Sequence, residues 1–418
     1  MKLLHCADLH LDAKMTSTLD KERAKERKAE LLHTFQDMIS YAANHDICHI
    51  LICGDLFDTK NISASARNLV SSEIEKHPEI TFYYLRGNHD ADNFLSGLDV
   101  VPDNLKLFSH NWTSYVVKKQ NVAETGDSTV YPNDLTDMKD SADMKASTDG
   151  NVSIDGNIST EMNPVLEKEC TNIVISGMEL AEDNAKSAYH TLVLDSDKIN
   201  IVMLHGQESE TGAKDKAEVI HLRELHNKGI DYLALGHIHA YKREKLDGRG
   251  VYCYSGCLEG RGFDECGEHG FVVLDVDEEK RTVTDTFVPF AKRNLYTVYV
   301  DVTGCNSSVK MAEKIRQDLA QGQYRHEDLL KIVLTGALDV ACEKNTNYLL
   351  SMFSGDYYFV KLYDETTLRV DVEDFQYDES LKGEFVRTVL SADEMPQEEK
   401  AAVIRLGLQI LNNEEVSL

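Results

Sequence analysis

Residues 48–55 read CHILICGD, an apolar run of strand length that ends directly on Gly54 and Asp55. A short apolar run between helical stretches marks a strand buried in an α/β sheet. The same grammar recurs on both sides. Upstream, residues 2–7 form a short apolar run that delivers Asp8-Leu9-His10, and residues 21–44 read as a long helix with Leu32, Phe35, Met38 and Ile39 on one side. Downstream, residues 63–77 look helical, and the run 80–85 delivers Gly87-Asn88-His89-Asp90. Farther on, 200–204 delivers His205-Gly206 and 232–235 delivers Gly236-His237-Ile238-His239, with a helix expected over 214–228 between them. Five strand ends thus carry ligand-type polar residues, and sites in open α/β sheets form at the carboxyl ends of strands.

The residue types fit one task. Asp8, His10, Asp55, Asn88, His205, His237 and His239 offer oxygen and imidazole nitrogen, which suit Mn2+, Fe2+ or Zn2+. No cysteine stands among them, which argues against a structural zinc site. Seven donors exceed the needs of one ion and match two ions sharing a carboxylate. Taken singly, Asp8 or His205 at a strand end is more often a cap or a satisfied polar group. The five points together carry the argument. Gly54, Gly87 and Gly236 stand where a tight turn or a close backbone approach needs no Cβ. The remaining histidines, His5 and His49 among them, read as structural or exposed.

The motif order is D-x-H, GD-x-x-D (Gly54 to Asp58), GNHD, HG and GHIH. Over about residues 1–290 it resembles the calcineurin-like metallophosphoesterase superfamily. Within that span HCADLHLDA, ICGDLFDT and YSGCLEGRGFDECGEHGF look like the SbcD-type DNA repair exonuclease branch and its YhaO-like relatives. The resemblance implies an α/β fold: a four-layer αββα sandwich with metals at one edge, a small α/β capping domain and a helical C-terminal tail. It implies a first ion on Asp8, His10, Asp55 and His239, and a second on Asp55, Asn88, His205 and His237, with Asp55 bridging. His89 would protonate the leaving 3′-oxygen, Asp90 would orient His89, and Asp58 would hold a ligand loop. The implied activity is an Mn2+-dependent DNA nuclease, an exonuclease with some endonuclease activity, in DNA repair or end processing. Its implied partners are DNA, an SbcC-like SMC-type ATPase and a second copy of itself. Two other classes compete. One is a metallophosphoesterase acting on small nucleotide phosphoesters. The other is a non-enzymatic adaptor, against which the intact donors count.

The expected organisation is a nuclease domain at 1–290, a capping domain at 291–370 and an acidic helical tail at 371–418. Within the first, residues 120–163 hold nine acids and two lysines, nearly lack large apolar residues, and read as an insertion that cannot support a core. The capping region reads as strand 295–300, helix 308–321, strand 329–334, helix 345–353 and strand 357–363. The tail reads as helices over 380–390 and 396–412, able to dock on their own domain or to grip a partner's coiled coil.

The 418 residues carry 44 Lys+Arg against 72 Asp+Glu, a net charge of −28. That excludes a protein that coats nucleic acid through bulk positive charge, but not an enzyme whose bound cations supply the local charge. Arg86, Lys242, Arg243, Arg261 and Arg293 are the basic candidates for DNA contact. Nine cysteines, an odd number, argue against a disulfide framework, and the spacing of Cys253, Cys257 and Cys266 is poor for zinc. No apolar stretch approaches the roughly 18 residues of a membrane span. The N-terminus reaches Asp8 too soon for a signal peptide, so a cytoplasmic location is expected.

Overall fold

In β8 (Ile199–His205) every residue is buried. Ile199, Ile201 and Met203 face one core, and Val202 and Leu204 face another, as a strand sandwiched on both sides requires. The computed structural model describes residues 1–15, 19–58, 62–90, 94–95, 98, 100–118, 130–132, 170–185, 187–209, 219–339, 342–369, 375–392 and 395–411. They form two units, Met1–Lys292 and Arg293–Leu418. Apart from Val130–Pro132 (β6), the expected insertion at 120–163 lies outside the described residues.

The first unit holds two large sheets. In one, β1 (Lys2–Cys6), β2 (Ile47–Cys53), β3 (Thr81–Leu85) and β4 (Leu105–Leu107) run parallel, and β14 (Gly270–Asp277) and β15 (Thr282–Pro289) continue the sheet antiparallel beyond β1. In the other, β13 (Val251–Tyr254), β11 (Tyr232–Gly236), β8 and β7 (Cys170–Gly177) are parallel neighbours. Its antiparallel edges are β12 (Lys242–Lys245), on β13, and β5 (Thr113–Lys118) with β6, on β7. Leu3, Leu51, Cys53 and Leu85 of the first sheet share a core with Ile173, Ile201, Met203 and Ala234 of the second.

Helices α1 (Lys21–Asn44) and α2 (Ala64–Lys76) lie against each other, and α1 lies on β2. Asp20 caps α1 by accepting from the backbone N–H groups of Glu22 and Arg23. The buried stripe of α1 runs through Leu31, Phe35, Met38 and Ile39, so Leu31 rather than Leu32 faces the sheet. On the far sheet the single-turn helices α3 (Ala188–Thr191) and α4 (Leu222–Leu225) pack under Val202, Leu204, Leu233 and Tyr252. The layering is helix, sheet, sheet, helix. The helix expected over 214–228 is corrected to β10 (Val219–His221), paired with β9 (Gln207–Ser209), followed by the single turn of α4; residues 214–218 lie outside the described residues.

In the second unit β16 (Leu295–Asp301), β17 (Leu329–Thr335) and β19 (Phe359–Asp364) form a parallel sheet in that order, joined through α5 (Ser308–Leu319) and α6 (Thr346–Phe353). Met311, Ile315, Leu349 and Phe353 of the helices pack on Val298, Val300, Ile332, Leu334 and Val360. A short parallel pair, β18 (Ala337–Asp339) and β20 (Thr367–Arg369), completes the unit's strands among the described residues. Helices α7 (Leu381–Leu390) and α8 (Gln397–Leu411) follow, and Phe375, Val386, Val389, Ile404 and Leu408 form a core of their own.

Candidate metal centre

The strand ends that the sequence singles out meet at one edge of the two sheets. Asp8 and His10 follow β1, Asp55 follows β2, Asn88 and His89 follow β3, His205 closes β8, and His237 and His239 follow β11. These are neighbouring parallel strands, so their carboxyl ends lie side by side. Three backbone-directed bonds stitch the sheets together there. The His237 N–H donates to both Asp8 carboxylate oxygens at 2.9 Å. The His205 Nδ1–H donates to the Cys53 carbonyl at 2.9 Å. Deeper in the core His5 bonds the Tyr232 hydroxyl and the Leu235 carbonyl.

The backbone at these positions is forced. Asp8, His10, Asp55 and His237 hold left-handed φ values of 52°, 43°, 51° and 104°. Non-glycine residues adopt them only where the surroundings over-determine the chain, as they do around functional sites. Glycine is required next to them. A Cβ on Gly54 would lie 2.1 Å from His205 Nδ1, and one on Gly87 would lie 2.2 Å from Asp55 Oδ1.

Two imidazoles, those of His205 and His239, are oriented alike, and His10 lies beside them with its Nδ1 near a carboxylate but outside hydrogen-bond geometry. His205 donates through Nδ1, which leaves Nε2 facing Asn88 Oδ1 at 2.9 Å and Asp55 Oδ2 at 3.4 Å. His239 donates through Nδ1 to Glu265 Oε1 at 2.6 Å. The Nδ1 of His10 lies 3.3 Å from Asp58 Oδ1. The Nε2 atoms of His10 and His239 then face each other at 3.2 Å. An outer acceptor on Nδ1 with a lone pair on Nε2 is the arrangement of a metal-ligating histidine. The Asp55 carboxylate stands between the two groups, its Oδ2 3.4 Å from His205 Nε2 and 3.8 Å from His10 Nε2. Its Oδ1 accepts the His89 N–H at 2.9 Å. The ring of His237 packs edge-on to that of His205, with centroids 5.4 Å apart.

These donors fit cations. Asp8, His10 and His239 form one cluster and Asp8, Asp55 and His205 another, the ligand atoms of each lying within 4.8 Å of one another. Burial pushes the Asp8 carboxyl up to about 6, against the pull of His205 and with the push of Asp55. Burial also opposes ionisation of Asp55, yet its bonds and charge contacts to His205 and His10 hold its carboxyl below the usual range. Converging lone pairs and packed carboxylates are complemented by divalent cations. The clusters therefore form a candidate dinuclear metal site.

His89 lies at the rim. Its side chain is exposed, its ring centroid is 5.2 Å from that of His10, and its Nδ1–H donates to the Asp58 carbonyl at 3.1 Å. Here the structure corrects an expectation, because Asp90 does not orient His89 through its ring. The Asp90 carboxylate accepts the backbone N–H groups of Leu56, Phe57 and Gly87, bracing the two loops that carry Asp55 and Asn88. The Asp58 carbonyl takes the role expected of Asp90.

The sequence reading missed Glu265. Its buried carboxylate holds His239 and accepts from Arg261, which in turn donates to Asp58 Oδ1 at 2.8 Å. Asp58, Arg261 and Glu265 thus form a chain behind His10 and His239. The available signal was the YSGCLEGRGFDECGEHGF segment, which contains both Arg261 and Glu265, but its spacing alone does not say which acid reaches a histidine.

The basic candidates for DNA contact are engaged within the chain. Arg86 forms a two-pronged pair with Glu179 at 2.8 and 2.6 Å, and Arg243 another with Asp285. Lys242 pairs with Glu208 at 2.6 Å, Arg261 with Glu265 and Asp58, and Arg293 stacks on Tyr358 and donates to the Glu327 carbonyl. Among the described residues, no helix is long and apolar enough to cross a membrane.

Comparison with known proteins bears on these residues. Residues 1–241 match the family model for calcineurin-like phosphoesterases. The uncharacterized metallophosphoesterase YhaO of Bacillus subtilis (strain 168) is 25% identical over 281 residues, covering 66% of this chain and 57% of that protein. The chain thus matches little more than half the length of that relative. Among solved structures, TT1561 of Thermus thermophilus is similar at 11% identity and a TM-score of 0.35, covering 68% of this chain and 98% of that one. A dimetal phosphatase from Danio rerio is similar at 10% identity and a TM-score of 0.34, covering 66% of this chain and 92% of that one. The family match takes in more than half of the sequence and every candidate ligand from Asp8 to His239, and the chain belongs to the calcineurin-like phosphoesterase family.

Proposed function

We propose that this metallophosphoesterase is a DNA nuclease, working with two divalent ions, Mn2+ for preference, in repair or end processing. One observation carries the hydrolytic reading: three imidazole Nε2 atoms and the Asp55 carboxylate converge on two adjoining clusters, with the exposed His89 ring at the rim. Two ions bound there would clamp phosphoryl oxygens and activate a water.

The chain's own groups supply the rest. Asp8 and Asp55 place negative charge where cations are needed, Glu265 keeps His239 turned inward, and the Asp58 carboxylate lies 3.3 Å from His10 Nδ1. His89 has Nδ1–H committed to Asp58, so the proton it can give to a leaving oxygen is the one on Nε2. DNA is favoured over small phosphoesters by the segment that resembles the SbcD branch, and by the second unit and its C-terminal helices, which an enzyme for small substrates does not need. The proposal includes an SbcC-like SMC-type ATPase partner, a homodimer, and a second unit that shapes DNA access.

The test is hydrolysis of end-labelled single- and double-stranded DNA beside bis(p-nitrophenyl) phosphate, with Mn2+, Fe2+, Zn2+ or Mg2+ added to metal-free protein. Cleavage of both substrate types is expected. Cleavage of the chromogenic ester alone would overturn the DNA reading in favour of small phosphoesters. Inertness with every ion would overturn the hydrolase reading.

A further inference from the structure

The second unit carries a face that the hydrolytic site does not explain. Helices α5 and α6 pack on one face of its parallel sheet, and the alternate residues of each strand point the other way. The strand register puts Thr297, Lys331 and Lys361 in one row across that outer face, and Tyr299, Val333 and Tyr363 in the next. Tyr299 is 65% exposed and Tyr363 37%. Neighbouring strands lie about 4.8 Å apart, so the two tyrosines, one strand removed from each other, stand roughly 10 Å apart.

The lysines are the second observation. The Nζ atoms of Lys331 and Lys361 lie 4.6 and 4.7 Å from the centre of the same ring, that of Tyr363. Among the described residues neither ammonium pairs with a carboxylate. This contrasts with Arg86, Lys242, Arg243 and Arg261, each neutralised within the chain. In a chain of net charge −28, two unneutralised ammoniums on one aromatic ring are an anion-seeking arrangement. Val333, between the tyrosines, is fully buried, so the accessible part of that row is its two rings. Accessible aromatic rings interleaved with cations are what bases and phosphates together recognise.

We propose that this face binds single-stranded DNA, with Tyr299 and Tyr363 stacking on bases and Lys331 and Lys361 meeting phosphates. The inference deepens the DNA reading of the substrate and rests on it for its purpose, but binding can be measured apart from cleavage.

The experiment is fluorescence anisotropy of a labelled oligo-dT with the full chain in EDTA, across a salt series. Tyr299→Ala and Tyr363→Ala should each weaken binding, by about five- to a hundredfold for a lost stack. Tyr299→Phe and Tyr363→Phe should retain it, which separates stacking from a folding defect. Lys331→Gln and Lys361→Gln should each make the slope of log affinity against log salt shallower by about 0.7. Unchanged affinity in all of these variants would overturn the inference. So would a change in oligomeric mass on Tyr299→Ala with oligo-dT binding intact, since the face would then be an interface between copies. If the wild type binds no oligo-dT, the inference fails, while Mn2+-dependent hydrolysis of the chromogenic ester separately reports whether the catalytic reading stands.

Discussion

Glu265 Oε1 lies 2.6 Å from Nδ1 of His239, and this contact decides which imidazole nitrogen faces the metal clusters. Burial opposes the charge on Glu265, but its bonds to His239 and Arg261 hold its carboxyl below the usual range. Removing that anchor frees the ring to turn. Glu265→Ala, which leaves no acceptor for Nδ1–H, should lower metal affinity about 10- to 100-fold, the usual effect of losing a residue that orients a ligand. Chelator competition measures it. Wild-type affinity in this variant would show that His239 is held by packing alone.

Asp55 stands between the two clusters, with Oδ2 3.4 Å from His205 Nε2 and 3.8 Å from His10 Nε2, while Asp8 is counted in both. Asp55→Ala should therefore empty both positions, whereas loss of a ligand to one ion should spare the other. Elemental analysis of purified protein counts the ions. Near-full loading of Asp55→Ala would disprove the bridging role.

His89 should behave in the opposite way. Its backbone N–H serves Asp55 whatever its side chain, so His89→Ala should keep its metals. Phosphodiester hydrolysis should fall by about 10²–10⁴-fold, as for loss of a positioned acid. A drop in metal content would instead make His89 a ligand and require the roles to be redrawn.

The donors were legible because each strand ends on its functional residue, and an apolar run followed at once by Asp, Asn or His survives in the sequence as a local pattern. What was not legible is long-range or edge-on. Glu265 reaches His239 across a loop, and nothing in the spacing distinguishes it from neighbouring acids such as Asp264 or Glu268. Asp90 sits beside His89 in the chain but turns its carboxylate to three backbone N–H groups, a direction that adjacency does not reveal. The strand Lys242–Lys245 is charged throughout and exposed along most of its length, so it lacks the apolar signature of a strand and exists through its pairing with Val251–Tyr254. The left-handed backbone at His10 and His237 is imposed by tertiary contacts, and neither residue type announces it.

The tail should be separable from the rest of the chain. Its apolar core, Phe375, Val386, Val389, Ile404 and Leu408, is drawn from the tail alone, and Leu381 and Ile410 remain 72% and 57% exposed. Truncation after Arg369 should leave a soluble protein that keeps its metals and hydrolyses small phosphodiesters, but no longer co-purifies with an SMC-type ATPase. Aggregation of the truncated chain would mean that the helices stabilise their own unit, and the reading of the tail as a grip on a partner's coiled coil would be disproved.

His49 offers a test of stability rather than catalysis. It is buried in β2, and among the described residues neither ring nitrogen has a hydrogen-bond partner. Burial lowers its pKa from 6.5 to about 4, because the charged ring cannot be solvated there. The unfolded chain therefore binds a proton that the folded chain refuses between those two values, and linkage fixes the sign. Stability is unaffected by this group above pH 6.5, and is lost progressively as the pH falls toward 4. The full loss is on the order of 3 kcal/mol at about 1.4 kcal/mol per pKa unit. His5 titrates with the same sign, its pKa lowered by burial to about 3, so it leaves an acid limb of its own. His49→Leu is close in volume and removes both the unpaired nitrogens and the titration. Urea unfolding from pH 7 to pH 4.5 should show the variant losing less stability than the wild type over that interval. Parallel curves for the two proteins would mean that His49 is protonated in the folded state, and the burial argument for this residue would fail.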